Sequence, residues 1–409
     1  MANKSAENER LAAESAQAAS TRAVAKEREA NAERDIAKSR ALAASAIGQL
    51  TNDPELSILL SVKAAEISPT FEAQDALRQS LSTSKTISRL AGHSNVLNNA
   101  RFAHKHSWIV SASSDTSARV WSALDGKLIA ELKGHTGHVI DAQFSHNDDY
   151  VVTASLDRTA RVWKSNDGKL VAVLQGHEDG VFNAEFSSDD QLIVTASLDR
   201  TARVWATAGW NPLHILLGHQ GPLRNAHFSP DSKFILTSGM DSTARLWSTS
   251  SGKVEAILKG HDGSILNTDF SSDGKLIATA SEDRTSRIWE TETGNQIAVL
   301  VGHSDPVNNA NFSSDGRYVV TSSWDRTARI FEVISAKEIV RLTGHTSVVT
   351  NAEFSPDGRQ VLTGSWDGTA RVWESMSSGR ERYALTGHID RINNVHFSND
   401  GNLIITASF

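Results

Sequence analysis

Eight Gly-His pairs, from Gly92-His93 to Gly387-His388, recur along the chain at steps of 42 residues, with a last step of 43. Each of the first seven leads into a run such as Thr153-Ala-Ser-Leu-Asp157-Arg-Thr-Ala-Arg-Val-Trp163. Self-similarity at this period marks a four-stranded unit that cannot bury its own faces and must stack on copies of itself. Alternation and turn chemistry place the strands. Residues 169–174 read as the outer strand of one unit, and Val181–Phe186 as the inner strand of the next. Ser188-Asp189-Asp190 then turns into Leu192–Ser197, and Asp199-Arg-Thr into Ala202-Arg-Val-Trp205. Turns such as Ser272-Asp273-Gly274 and Pro356-Asp357-Gly358 carry the residues that tight hairpins need.

These motifs resemble the WD-repeat family of β-propellers over residues 85–409. The resemblance implies an all-β propeller with an α-helical N-terminal extension. The expected divisions are a helical arm or linker (1–50), a short helical hairpin (51–83), and a propeller of seven full repeats plus a partial eighth (84–409). Outer, inner and second strands each number eight, but third strands of the Arg-x-Trp type number seven. Two closures follow. One is a seven-blade ring, the commonest arrangement in the resembled family, in which residues 86–90 or 383–385 complete the last blade. The other is an incomplete eighth blade. The unmatched half-blade favours a chain cut from a longer array.

The resemblance also assigns a buried hydrogen-bond network to the His, the turn Asp and the third-strand Trp of each repeat. These are His93, Asp115 and Trp121; His135, Asp157 and Trp163; His177, Asp199 and Trp205; His219, Asp241 and Trp247; His261, Asp283 and Trp289; His303 and Asp325; and His345, Asp367 and Trp373. A second-strand hydroxyl joins each set, in the second repeat either Thr153 or Ser155. Phe331 replaces Trp in the sixth repeat. One constellation repeated in every blade argues for a structural role, not for catalysis or metal binding.

Two further series repeat. Asn99, Asn183, Asn225, Asn267, Asn309, Asn351 and Asn394, with Asp141 as the exception, are expected to satisfy backbone groups between blades or to line the central channel. Arg119, Arg161, Arg203, Arg245, Arg287, Arg329 and Arg371 follow the turn Asp by four residues and read as ion pairs at blade edges. Arg158, Arg200, Arg284 and Arg326 follow it directly and are candidates for a phosphate or an acidic partner.

Positions that do not repeat carry the functional information. The residue before each turn Asp is Ser114, Leu156, Leu198, Met240, Glu282, Trp324 or Trp366. In the resembled family these loops crown one face of the ring, where partners dock. The neighbouring inner-strand position holds Ile140, Phe182 and Leu266 among Asn98, Arg224, Asn308, Thr350 and Asn393. Ile140, Leu156, Phe182, Leu198, Met240, Leu266, Trp324 and Trp366 are therefore the expected partner-binding patch.

The N-terminal 50 residues are rich in Ala, Glu, Lys and Arg, lack Pro, and have no Gly before Gly48, so they read as a long exposed helix without a steady heptad. Asp53-Pro54-Glu55 reads as a helix start. Ser68-Pro69 ends that helix, and Thr70 caps another carrying Phe71, Ala76 and Leu77 on its packed side. Residues 42–81 resemble the helical junction that precedes WD-repeat arrays in bacterial multidomain signalling NTPases. No G-x-x-x-x-G-K-[ST] phosphate loop occurs in the chain, so the resemblance implies the sensor end without the motor.

Net charge is −7, which gives no global field for nucleic acid. There is no cysteine, which removes disulfides, thiolate catalysis and cysteine-ligated zinc and fits a reducing cytoplasm. No signal peptide or membrane span is legible. No cofactor or metal is expected. The reading is a cytoplasmic, non-enzymatic module that docks a protein or peptide, with a signalling NTPase as the sharper candidate partner. The alternative is a propeller binding a small ligand or ion in an Asn-lined channel. For enzyme chemistry only His138 and His227 stand outside the repeat pattern, and neither has a legible companion.

Overall fold

The computed structural model describes residues 2–50, 54–83, 88–376 and 379–409. Asp53, expected to cap a helix, and residues 86 and 87 of the expected outer strand lie outside the described residues. The chain divides into two compact units, Met1–Thr86 and Ile87–Phe409.

The first unit holds α1 (Ala2–Gln49), α2 (Pro54–Ile67) and α3 (Phe71–Thr83). Side chains of α1 are exposed from residue 15 to residue 38. Its last turns pack with α2 and α3 through small residues, with Ala43, Ala46, Ala64, Ala73 and Ala76 buried. Hydroxyls enter this core only with partners, as burial requires. Ser57 Oγ donates to the Ala46 carbonyl and lies 2.7 Å from Ser80 Oγ. Thr70 caps α3, its Oγ1 accepting the Ala73 N–H at 3.2 Å. Phe71, expected on the packed side of α3, is instead 75% exposed. It occupies the first helical position, ahead of the turns that meet α2. No described helix is long and apolar enough to cross a membrane.

The second unit is seven four-stranded antiparallel sheets and a final strand pair. They are blades 1 (97–133), 2 (139–174), 3 (181–216), 4 (223–259), 5 (265–300), 6 (307–342), 7 (349–385) and 8 (392–408). The cores lie between blades. Val152, Ala154, Val162 and Leu174 of blade 2 pack on Val181, Phe186, Ile193 and Trp205 of blade 3, and the pattern repeats around the ring. Residues 383–385 pair with the third strand of blade 7, as Val372 with Tyr383 and Ala370 with Leu385, so they complete that blade. The partial repeat stands as its own sector, and the ring has eight positions. Ile405 and Ala407 of blade 8 share a core with Ala100, Ile109 and Trp121 of blade 1.

The joint from blade 8 to blade 1 uses the same bond as the joint from blade 1 to blade 2. Asn393 Nδ2 donates to the Leu97 carbonyl at 2.9 Å, as Asn98 Nδ2 donates to the Val139 carbonyl at 2.8 Å. These donors are bulge residues. In blade 2 the pairing skips from Val139 to Asp141, leaving Ile140 unpaired, and every inner strand skips at the equivalent place. A bulge re-aims the extra residue. Here it presents the variable inner-strand position at the mouth of the channel.

Glycine opens each repeat for a reason visible at Gly134. Its φ is +155°, and a Cβ there would stand 2.7 Å from Arg161 Nη1 and 3.3 Å from Trp163 Cη2. The backbone must pass this close for the next residue, His135, to reach the network. Gly134→Ala is expected to cost about 1–3 kcal/mol, from strained backbone and the displaced guanidinium. Urea unfolding of wild type and variant checks this.

Candidate functional site

Each blade is fastened by one polar cluster. In blade 2, His135 Nδ1 stands 2.8 Å from Asp157 Oδ2, so it carries the proton, and Nε2 faces Thr153 Oγ1 at 2.7 Å. Trp163 Nε1 donates to the same hydroxyl at 2.9 Å. Thr153, not Ser155, is therefore the second-strand member. Ser155 accepts the Asp157 N–H at 3.1 Å and donates to the Gly137 carbonyl, fixing the turn. Ser111 takes the hydroxyl role in blade 1. The His–Asp pairs and indole bonds recur for His177, Asp199 and Trp205, for His219, Asp241 and Trp247, for His261, Asp283 and Trp289, and for His345, Asp367 and Trp373. His303 and Asp325 pair at 2.7 Å without an indole, because Phe331 stands there. His388 Nε2 meets Thr406 Oγ1 at 2.7 Å in blade 8.

Electrostatics follow from this geometry. Burial pushes the imidazoles of His93, His135, His219 and His303 below their ordinary range, against the opposing pull of each paired Asp. Burial works against the Asp157 charge too, but hydrogen bonds from Thr159 and His135 outweigh it and hold the carboxyl at about 2. Strand arginines end in ion pairs at several blade edges: Arg119 with Glu131 at 2.8 Å, Arg329 with Glu338 at 2.8 Å and Arg371 with Glu381 at 2.7 Å. Arg158, Arg200, Arg284 and Arg326 occupy left-handed backbone, with φ of 72°, 72°, 73° and 69°, and their side chains are exposed.

Part of the amide series forms a chain of hydrogen bonds along the channel wall. Asn351 Nδ2 donates to Asn394 Oδ1 at 2.9 Å, Asn394 Nδ2 to Asn99 Oδ1 at 2.8 Å, and Asn99 Nδ2 to Asp141 Oδ1. From the other side Asn183 Nδ2 donates to Asp141 Oδ2 at 3.0 Å. Asp141 thus takes a donor from each side, Asn99 on one oxygen and Asn183 on the other, and a carboxylate can serve both because it only accepts.

The expected docking residues fall into two groups. Leu156, Met240 and Trp324 are 38%, 37% and 45% exposed on the loop-crowned face, and Leu198 and Trp366 are half-buried there. The Trp324 and Trp366 rings lie 6.4 Å apart, and the Arg391 guanidinium sits 4.7 Å over Trp366. Leu156 and Leu198 converge above Gly180. Ile140, Phe182 and Leu266 are half-buried and line the opening of the channel with Asn98 and Arg224. Sequence reading missed Phe409, which is 50% exposed. Its N–H donates to the Arg391 carbonyl at 3.1 Å, as that of Leu156 donates to His138 at 3.0 Å. The signal was available, since Phe409 follows His388 by the interval that separates Leu156 from His135. His138 is exposed, whereas His227 has a companion that sequence could not place, with Nδ1 2.6 Å from Glu185 Oε2. Among the described residues no set of three or more His, Cys, Asp or Glu is arranged to hold a metal ion.

A closed ring of blades, the first seven each fastened by a His–Asp–hydroxyl cluster, defines a β-propeller of repeat type. The chain belongs to the WD-repeat propeller family: the model for the IFT122 first beta-propeller matches residues 138–409, and that for the WD domain, G-beta repeat, matches residues 84–122. No curated protein sequence matches it. Among solved structures it is similar to the computationally designed Ika8 protein, with 26% identity and a TM-score of 0.70 over 78% of this chain and 95% of that one. Propellers of this family generally mediate protein–protein interaction.

Two outcomes are expected. Thr153→Val leaves His135 Nε2 and Trp163 Nε1 without their partner and is expected to cost about 2–5 kcal/mol, whereas Thr153→Ser costs far less, as chemical denaturation can measure. Acid destabilises the fold in two stages. His93, His135, His219 and His303 have lowered folded values, so their contribution is complete above the ordinary 6.5 and is lost as pH falls below it. The carboxyls, lowered from 3.8 to about 2 at Asp115 and Asp157, lose theirs as pH falls through that interval. A thermal midpoint that stays level or rises as pH drops below 6.5 contradicts this.

Proposed function

We propose that this protein is a non-enzymatic docking module that holds a protein or peptide on the loop-crowned face of its propeller. One observation carries the reading: the adjacent Trp324 and Trp366, with Arg391 stacked on the second, at positions where the repeats otherwise diverge. Large amphipathic side chains held half-open in this way are the residues most enriched at binding hot spots. Leu156, Leu198 and Met240 extend the apolar surface across the neighbouring blades, and Ile140, Phe182 and Leu266 supply its inner edge.

The finer assignment is to the partner-sensing part of a cytoplasmic bacterial signalling assembly, with a signalling NTPase in a neighbouring chain. It is supported by the likeness of residues 42–81 to the helical junction of such proteins. The test is affinity capture from source-cell lysate, read by mass spectrometry, comparing wild type with a Trp324→Ala/Trp366→Ala variant verified as folded by circular dichroism and thermal melting. A partner held by wild type and weakened about tenfold or more in the variant is the expected result. Identical capture by both proteins rejects the loop face as the docking site.

A further inference from the structure

The lining of the channel mouth holds more basic side chains than acidic ones. An opening of about 220 Å³ is bordered by Arg101, Arg224, His227 and Asp141, with amides of the Asn series between them. Asp141 is the single carboxylate in this lining. Its Oδ1 takes Asn99, and its Oδ2 takes Asn183 and Gln143, both at 3.0 Å. Arg101 Nε forms a loose ion pair with Asp141 Oδ1 at 3.9 Å, too long for a hydrogen bond, and is buried without an acceptor. Glu185, behind the opening, is engaged by His227 Nδ1 at 2.6 Å and by the Phe228 N–H at 3.1 Å. Burial alone would push His227 down, but the Glu185 charge outweighs it and favours the imidazolium. Asp269 accepts the Phe312 N–H at 2.9 Å.

Arg224 is the remaining cation. It is the single charged residue in the bulge series, its guanidinium lies 6.0 Å over the Phe182 ring, and its Nε is buried without an acceptor. No Asp or Glu pairs with it among the described residues. A half-buried guanidinium facing a polar opening has forfeited part of its hydration and gains most from a planar two-oxygen acceptor. Ile140, Phe182 and Leu266 supply an apolar collar at the same level.

We infer that the channel mouth binds a carboxylate group, with the Arg224 and Arg101 guanidinium groups as its ligands. The volume fits a small acid or one acidic side chain; drug-sized ligands occupy about 300 Å³ or more. The inference does not depend on the tryptophan pair, and its failure is separable from failure of the docking reading.

The test is isothermal titration of the full chain at low ionic strength with succinate, and in a second arm with acetyl-Ala-Glu-Ala-amide against its Gln counterpart. Saturable binding is expected that weakens with added salt and falls about tenfold or more in Arg224→Gln and in Arg101→Gln. Thermal melting verifies that these variants are folded. Arg158→Gln, which removes an exposed turn arginine, is expected to bind as wild type does. Binding of succinate alone identifies a free acid as the ligand, and preference for the Glu peptide identifies a side chain of a docked polypeptide. Absence of saturable binding in both arms, or an equal loss in Arg158→Gln, overturns the inference.

Discussion

A twisted four-stranded sheet with two apolar faces has no stable solution by itself, and nearly everything in this propeller follows from meeting that demand eight times in a circle. Val152, Val162 and Leu174 of one blade are covered by Val181, Phe186 and Trp205 of the next, so each core belongs to a pair of blades. Neighbour-to-neighbour burial of this kind makes stability a sum of similar interfaces. Blade 8, with two strands, still presents Ile405 and Ala407 to blade 1, which is why the circle closes without a full eighth sheet.

Apolar burial fixes which faces meet; the polar clusters fix how. Large side chains such as Trp163 carry an N–H into the core, and a buried donor without a partner costs more than a typical hydrogen bond returns. The Thr153 hydroxyl resolves this by serving His135 and Trp163 together, while Asp157 orients the imidazole and ties the turn. The same reasoning explains Asp141. Amides pass hydrogen bonds in one direction from Asn351 through Asn394 to Asn99, Asn183 donates from the opposite side, and the Asp141 carboxylate, which has no donor of its own, accepts both.

The period, the strand order and the membership of the polar clusters could be read from the sequence because each is written several times. What appears once was harder to read. The choice between Thr153 and Ser155 depends on which side of the second strand faces the imidazole, and two hydroxyls two residues apart in one strand look alike on paper. The bulge that turns Ile140 and Arg224 toward the channel leaves no sequence mark beyond one extra residue. The pairing of His227 with Glu185 joins residues 42 positions apart. Its partner lies one repeat back, where a search for a local companion does not look. Phe71 was misread because an apolar residue beside a cap looks like core until the neighbouring helix is placed. Phe409 was legible, because its interval from His388 is that of Leu156 from His135.

The bonds between blades carry a consequence of another kind. Asn98 reaches the Val139 carbonyl and Asn393 reaches the Leu97 carbonyl by the same geometry, although one joint links successive repeats and the other links the two ends of the array. The closing joint therefore holds no mark of being the place where the two ends of the array meet. Gain or loss of a repeat within the array would leave this closing bond unchanged. The wedge angle of the blades alone would then decide how many the circle admits, so the loop-crowned face can diversify by shuffling whole units as well as by point substitution.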